Sequence, residues 1–271
     1  NAEGSNGISI RSPEGLTVRY AHMNIETIDP ALTVGAEVKA GQVLGKTGCT
    51  WNGWRSQWAD PHLHVGFTRE TPDGDVRISP YPFLVAAYLR TYDDPVLPVA
   101  GGYYFTTVGR PVTLDATRTV LSPEHDVRSF LWRLYDGTEV PGPTVDVVYD
   151  RSGQYAEMLE VRTEAGLLVT DFAQVRVYDP ARDPGDELAH GWAYYSPLRE
   201  IHPGTPVTFW NRLLDTQDVM IDYGDGSVSE VIAEKAEHRF GAPGRYIVTL
   251  RGQGLAGEPV MAKLGVVVES V

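Results

Sequence analysis

Apolar and polar positions alternate along most of the chain in short runs, the pattern of half-buried strands. In the first ninety residues the runs are Gly7-Ile8-Ser9-Ile10, Leu16-Thr17-Val18-Arg19-Tyr20, Val43-Leu44-Gly45 and His62-Leu63-His64-Val65-Gly66-Phe67. Glycines at 15, 35, 41, 45 and 48 separate them, as tight turns in a small β-domain require. One segment has helical spacing instead. From Pro82 to Leu89, with proline early, Phe83, Leu84, Ala87 and Tyr88 fall on one face. Asp93-Asp94-Pro95 then predicts a linker.

The remainder is a repeat. Gly109-Arg110-Pro111-Val112-Thr113-Leu114 returns as Gly204-Thr205-Pro206-Val207-Thr208-Phe209. Leu134-Tyr135-Asp136-Gly137 returns within Asp222-Tyr223-Gly224-Asp225-Gly226, and Tyr149 to Tyr155 returns as Phe240 to Tyr246. Polar, proline-rich Asp179 to Glu187 connects the copies. Short strands with frequent turn signals predict a β-sandwich for each. The expected organisation is all-β: a β-domain over residues 1–93, then sandwiches over 94–180 and 181–271.

Composition narrows the function. Lys+Arg 23 against Asp+Glu 36 gives a net charge of −13, the wrong sign for a nucleic-acid surface. No apolar run approaches the ~20 residues of a membrane span, and residues 1–7 do not read as a signal peptide. A single cysteine, Cys49, forms no internal disulfide and reads as a turn-lining thiol.

The two copies resemble PKD domains, immunoglobulin-like modules with a DG turn and an aromatic-x-x-x-Gly-x-Tyr strand entry. The first copy has Trp132, Asp136-Gly137 and Tyr149…Gly153-Gln154-Tyr155, and lacks one glycine of the turn; the second has Asp222-Tyr223-Gly224-Asp225-Gly226 and Phe240…Gly244-Arg245-Tyr246. Asp222 and Asp225 are expected to shape the turn through local backbone N–H groups rather than to bind calcium. The resemblance implies extracytoplasmic spacing and binding.

Candidate chemistry concentrates in the first ninety residues. Only three of the seven histidines sit in a pattern: His22 in Tyr20-Ala21-His22, and His62 and His64 in Pro61-His62-Leu63-His64-Val65. On a strand, residues i and i+2 share a face, so the last two imidazoles can serve one metal. With the glycine-punctuated run Val34 to Gly48 between them, these motifs resemble the lysostaphin-like (LytM-type) zinc endopeptidases of peptidoglycan. The resemblance implies zinc as cofactor, His64 as a metal ligand, and His22 and His62 as catalytic groups that move the attacking water's proton. It also implies a secreted or envelope location, with peptidoglycan or an envelope protein as partner.

Two departures qualify it. The family's other two ligands, a His and an Asp, precede the Tyr-x-His motif by several tens of residues, whereas residues 1–21 contain neither residue type. Three explanations stand open: an upstream fragment of a cleaved precursor supplies them, the sequence is part of a longer protein, or the domain is a degenerate, non-catalytic envelope scaffold or binding module. The second departure is the long segment from Gly48 to Asp60 with Trp51, Trp54 and Trp58, expected either to line a substrate groove or to pack against a neighbour. His125, His190, His202 and His238 have no partners at metal spacing. Gly45-Lys46-Thr47 is not a phosphate loop, because residue 40 is Ala.

Overall fold

The structure is a computed structural model. It describes residues 7–51, 54–55, 62–92, 96–122, 126–182, 188–227 and 230–270, with residues 50, 51, 54, 55, 92 and 230 described by backbone alone. Trp58, Asp60, His125 and the linker residues Asp93–Pro95 lie outside this set. The chain divides into two compact units, Asn1–Asp93 and Asp94–Val271.

The first unit is built on a four-stranded antiparallel sheet of β1 (Gly7–Arg11), β2 (Leu16–Ala21), β7 (His64–Thr71) and β8 (Gly74–Ile78), in that order. Gly15 turns the β1–β2 hairpin at φ +78°, a left-handed conformation that glycine adopts without cost. Two minor pairs flank the sheet: β3 (Met23–Asn24) with β4 (Lys46–Thr47), and β5 (Thr50–Trp51) with β6 (Trp54–Arg55). Helix α1 (Tyr81–Tyr92) follows, with the Ser79 hydroxyl accepting the Tyr81 N–H at its start.

Two sequence expectations are corrected here. Val43-Leu44-Gly45 is not a strand; pairing begins at Lys46, because residues 29–45 fold as successive turns closed by local backbone bonds such as Gln42 N–H to Lys39 C=O. On α1, Ala87 and Tyr88 are half-buried as expected, but Phe83 and Leu84 stay largely exposed, although the Phe83 ring meets Phe67 of β7 (ring centroids 5.0 Å apart). Among the described apolar side chains of this unit, only Ala21, Met23 and Phe67 are buried.

The second unit holds both repeats. The first contributes β9 (Val96–Leu97), β10 (Tyr103–Thr107), β11 (Pro111–Asp115), β12 (Val120–Leu121), β13 (Val127–Arg133), β14 (Glu139–Pro141), β15 (Thr144–Val148), β16 (Gly153–Thr163) and β17 (Leu168–Tyr178). The second contributes β18 (His190–Ser196), β19 (Val207–Leu214), β20 (Thr216–Asp222), β21 (Glu230–Val231), β22 (Lys235–His238), β23 (Gly244–Gly254) and β24 (Pro259–Val268). Each repeat has its own core. Leu114, Trp132, Tyr149, Leu159 and Val175 are buried together in one, and Val207, Phe209, Ile221, Phe240 and Leu250 in the other. The class is all-β.

The internal repeat extends to individual hydrogen bonds. Gly109 N–H donates to Tyr149 C=O and Gly204 N–H to Phe240 C=O, each over 2.9 Å. Tyr155 Oη donates to Arg151 C=O (2.9 Å) and Tyr246 Oη to Ala242 C=O (2.8 Å), both four residues back. These are tyrosine corners, which tie a strand entry to the preceding loop. The Asp-Gly turns are shaped as expected: Asp136, Asp222 and Asp225 each accept the backbone N–H two residues on. The missing glycine of the first copy has a structural counterpart. Gly224 sits at φ +74°, where a Cβ would fall 2.5 Å from Ile247 C=O; Tyr135 at the matching place instead packs its ring on Tyr149 and Tyr155.

The repeats are joined, not merely tethered. A single parallel bridge, Gln154 to Val260, runs one sheet path through both. The fully buried Gln154 amide donates to Gly191 C=O (2.9 Å) and Met261 C=O (3.0 Å) and accepts Gly191 N–H (3.1 Å). Tyr195 Oη adds a bond to Gly265 C=O within the second repeat, on the same strand.

Candidate metal centre

The register of β2 on β7 creates the site. Ala21 pairs with His64, so the residue after Ala21 leaves the sheet beside the His64 ring. His22 sits there at φ +63°, in the left-handed region that a non-glycine residue occupies at a cost of about 1 kcal/mol or more. The strained turn aims the buried His22 ring across the sheet end rather than along it. Gly48 holds this turn from behind. A Cβ there would fall 2.9 Å from Asn24 N and 3.1 Å from His22 C=O, so only glycine permits the approach. The same Gly48 accepts the His62 N–H through its C=O (3.0 Å) in an isolated bridge. One glycine thus places two of the three histidines.

The three imidazoles converge. His22 Nε2 lies 3.2 Å from His64 Nδ1, and ring centroids are separated by 4.3 Å (His22–His64), 4.9 Å (His22–His62) and 4.8 Å (His62–His64). One ring nitrogen from each lies within 4.8 Å of the others. His22 is buried while His62 and His64 are exposed, so the cluster opens to solvent on one side. Desolvation, and next the charge that His22 and His62 would carry, lower the His64 pKa below the ordinary imidazole value. The ring is therefore neutral at neutral pH, with a lone pair to offer.

This donor set fits zinc. Zinc–nitrogen bonds of 2.0–2.1 Å in a tetrahedron set neighbouring nitrogens roughly 3.3 Å apart. The His22–His64 pair already has that spacing, and the third nitrogen is within side-chain reach of it. Without a metal, the same short contact is a hydrogen bond from one ring N–H to the other ring's lone pair.

The sequence-predicted residues distribute as follows. His22, His62 and His64 are brought together. Trp51 and Trp54 pair across the β5–β6 hairpin, with their side chains outside the description, as is all of Trp58. Cys49 is half-buried, free and not in the cluster. His238 has a partner that spacing in the sequence did not reveal: its Nε2 lies 2.7 Å from Asp225 Oδ2, with the ring stacked on Tyr223 (3.9 Å between centroids). Partial burial pushes the Asp225 carboxyl up, and hydrogen bonds from Ser227 and His238 more than offset this, leaving it at about 2. The pair is structural, closing the turn that Asp225 shapes.

Comparison with known proteins gives one family match, a PKD domain over residues 92–177. No curated protein matches the chain. Similar solved structures include the PKD domain from KIAA 1837 protein, with 21% identity over 33% of this chain and 92% of that one and a TM-score of 0.27. The fibronectin(III)-like modules of Clostridium thermocellum CbhA show 11% identity over 65% of this chain and 94% of that one, with a TM-score of 0.25. Bacteroides ovatus SGBP-B shows 18% identity over 65% and 47%, with a TM-score of 0.26. Among the described residues, no helix is long and apolar enough to cross a membrane.

Proposed function

We propose that the chain is a zinc-dependent, endopeptidase-like protein of the cell envelope acting on peptidoglycan peptides, with two sandwich domains following the peptidase-like unit. The observation that carries this reading is the convergence of His22, His62 and His64 on one solvent-open point. His64 would hold the ion through a neutral ring nitrogen. Bound zinc supplies Lewis acidity toward a carbonyl and a water acidified toward pH 7. His62 and His22 would take the proton of that water and return it to the leaving amine, a role suited to imidazole side chains. In this reading, the two further ligands that the resemblance implies would come from a segment outside residues 1–271.

A second reading is favoured by a different observation. The PKD match over residues 92–177 backs this alternative, a non-catalytic envelope scaffold or binding protein, better than it backs the peptidase; that the scaffold's first unit is a degenerate peptidase fold is part of the same proposal.

Zinc content of the native material, measured by elemental mass spectrometry with intact masses of everything that co-purifies, separates the readings. Zinc near one per chain together with an upstream fragment supports the peptidase; His62→Ala then abolishes cleavage and keeps zinc, while His64→Ala loses both. Zinc held by this chain alone, and lost in His22→Ala, makes the three histidines themselves the ligand set and overturns the division of roles. Absence of zinc supports the scaffold.

A further inference from the structure

The outer face of the first sandwich carries a patch that neither core nor junction explains. On β10 and β17, which run parallel, the register sets Tyr103 beside Gln174, Phe105 beside Arg176 and Thr107 beside Tyr178. Ala173, Val175 and Val177 face the core, so Gln174, Arg176 and Tyr178 face outward, and Tyr103 and Phe105 face out with them. The aromatics are unusually open: 54% of Tyr103, 60% of Phe105 and 42% of Tyr178 is exposed. Phe105 and Tyr178 lie nearly parallel (21°, centroids 6.5 Å apart), and the Arg176 guanidinium lies over Tyr103 at 5.7 Å.

Set among these rings are two polar atoms with nothing to bond. Three buried side-chain polar atoms lack a partner among the described residues, and two of them are Gln174 Oε1 and Arg176 Nε. The third, Glu157 Oε2, belongs to a core carboxyl. Buried polar atoms are nearly always paired, so two orphans two residues apart on one face mark groups held for something that arrives later. One is an acceptor and the other a donor.

The chemistry of the occupant follows. It must lay an apolar face on aromatic rings and, at its side, offer a donor to Gln174 and an acceptor to Arg176. A phosphodiester serves the arginine but gives Gln174 no proton, and no phosphate has an apolar face for the rings. An aliphatic chain covers the rings and leaves both polar atoms unpaired. A sugar ring does all three: its C–H face stacks on an aromatic ring, and its equatorial hydroxyls, each both donor and acceptor, point sideways in the ring plane. The wall is present as well. Arg176 pairs with Gln154, whose amide is fixed into the second repeat, so the patch ends at the step where that repeat rises from the sheet.

We infer that the β10–β17 face of the first sandwich is a glycan-binding platform, with Tyr103 and Phe105 as stacking surfaces and Gln174 and Arg176 as the hydroxyl-reading pair. It lies in the second unit and stands whether or not the histidines bind zinc.

The test is calorimetric titration of the full chain with chitohexaose and with cellohexaose. At least one binds at millimolar or lower concentration. Phe105→Ala and Arg176→Gln each weaken that binding about tenfold, one stacked ring or one charge-assisted hydrogen bond. Arg176→Gln leaves the melting temperature nearly unchanged, because removing an unpaired buried donor offsets the lost contact with Tyr103, whereas a residue kept for the fold would lower it. Failure of both hexasaccharides to bind overturns the proposal. So does binding that survives both substitutions, or heat evolved only with a peptide ligand.

Discussion

The two units of this chain use their apolar residues in opposite ways. In the first, three apolar side chains are buried among the described residues, while Ile25, Val34, Val43, Phe83 and Leu84 remain open to water, and the best-placed side chains are three histidines. In the second, each repeat closes over large rings with no exposure at all, Trp132 and Tyr149 in one and Phe209 and Phe240 in the other. Packing fixes side chains most strongly where every neighbour is itself fixed. Among the described residues, the histidine cluster is placed chiefly by backbone devices: the β2–β7 register, the left-handed His22 and the close approach of Gly48. A site can therefore be set with little core beneath it, at the expense of local stability.

The sharpest way to break this contrast is to empty one large side chain from each unit. Trp132→Ala removes a fully buried indole whose Nε1–H also donates to Pro143 C=O. It should lower unfolding free energy by about 3–5 kcal/mol, a large share of a domain's stability, and shift the main denaturant transition followed by circular dichroism. Val43→Ala, at a residue 78% exposed, should stay within about 0.5 kcal/mol of the parent. A loss for Val43→Ala as large as that for Trp132→Ala would mean that the first unit is covered after all, and the contrast would fail.

Acidity probes the packed unit next. Burial drives the Glu157 carboxyl up to about 7, against the hydrogen bond from Tyr149 Oη (2.8 Å) and the charge of Lys263, itself held below the ordinary amine value by desolvation. The folded protein thus keeps a proton that the unfolded chain releases near pH 4.5. Stability from this group is complete below that value, falls as pH rises toward 7, and stays lost above it, by roughly 3 kcal/mol at most. Glu157→Gln, which mimics the protonated form, should raise the melting temperature at pH 8 by roughly 5 °C and leave it nearly unchanged at pH 4.5. An equal shift at both values would place the effect in packing rather than in the proton.

Much of this was legible in the sequence, and the reasons differ between the units. Alternation locates β1 and β7, where more and less exposed positions alternate, and β2, which pairs with both. It misplaces Val43–Gly45, where a similar run serves turns and leaves Val43 exposed. The helix from Pro82 is visible in its spacing, but which face it buries depends on what lies against it, and here little does. His62 and His64 stand out as an i, i+2 pair, although only His64 lies within β7 and His62 sits in an isolated bridge to Gly48. That His22 joins them depends on a left-handed turn that no spacing encodes, and only the family motif pointed to it. Gln154 reads as one more polar strand residue, because the junction it makes joins groups 37 and 107 residues away. The Gln174–Arg176–Tyr178 alternation reads as an ordinary wet face, and only the buried state of its polar atoms distinguishes it.

The smallest expected effect asks whether the packed unit is packed evenly. Both repeats end a loop on a tyrosine corner of the same design, yet Tyr155 is almost completely buried and Tyr246 only partly. Removing either hydroxyl leaves a backbone carbonyl without its donor, of Arg151 in one case and Ala242 in the other. Both carbonyls belong to exposed residues, so water can replace part of the lost bond. The Tyr155 hydroxyl sits deeper, beside Tyr149 and Tyr135, and burial pushes its pKa up to about 12, so water reaches its place less easily. Tyr155→Phe should therefore cost about 1 kcal/mol and Tyr246→Phe about half that, each read from the shift in denaturant midpoint at unchanged slope. Equal losses would mean that the corner bond alone sets the value, independent of the packing around it. A larger loss at Tyr246 would show that the second repeat is the one that depends on its loops.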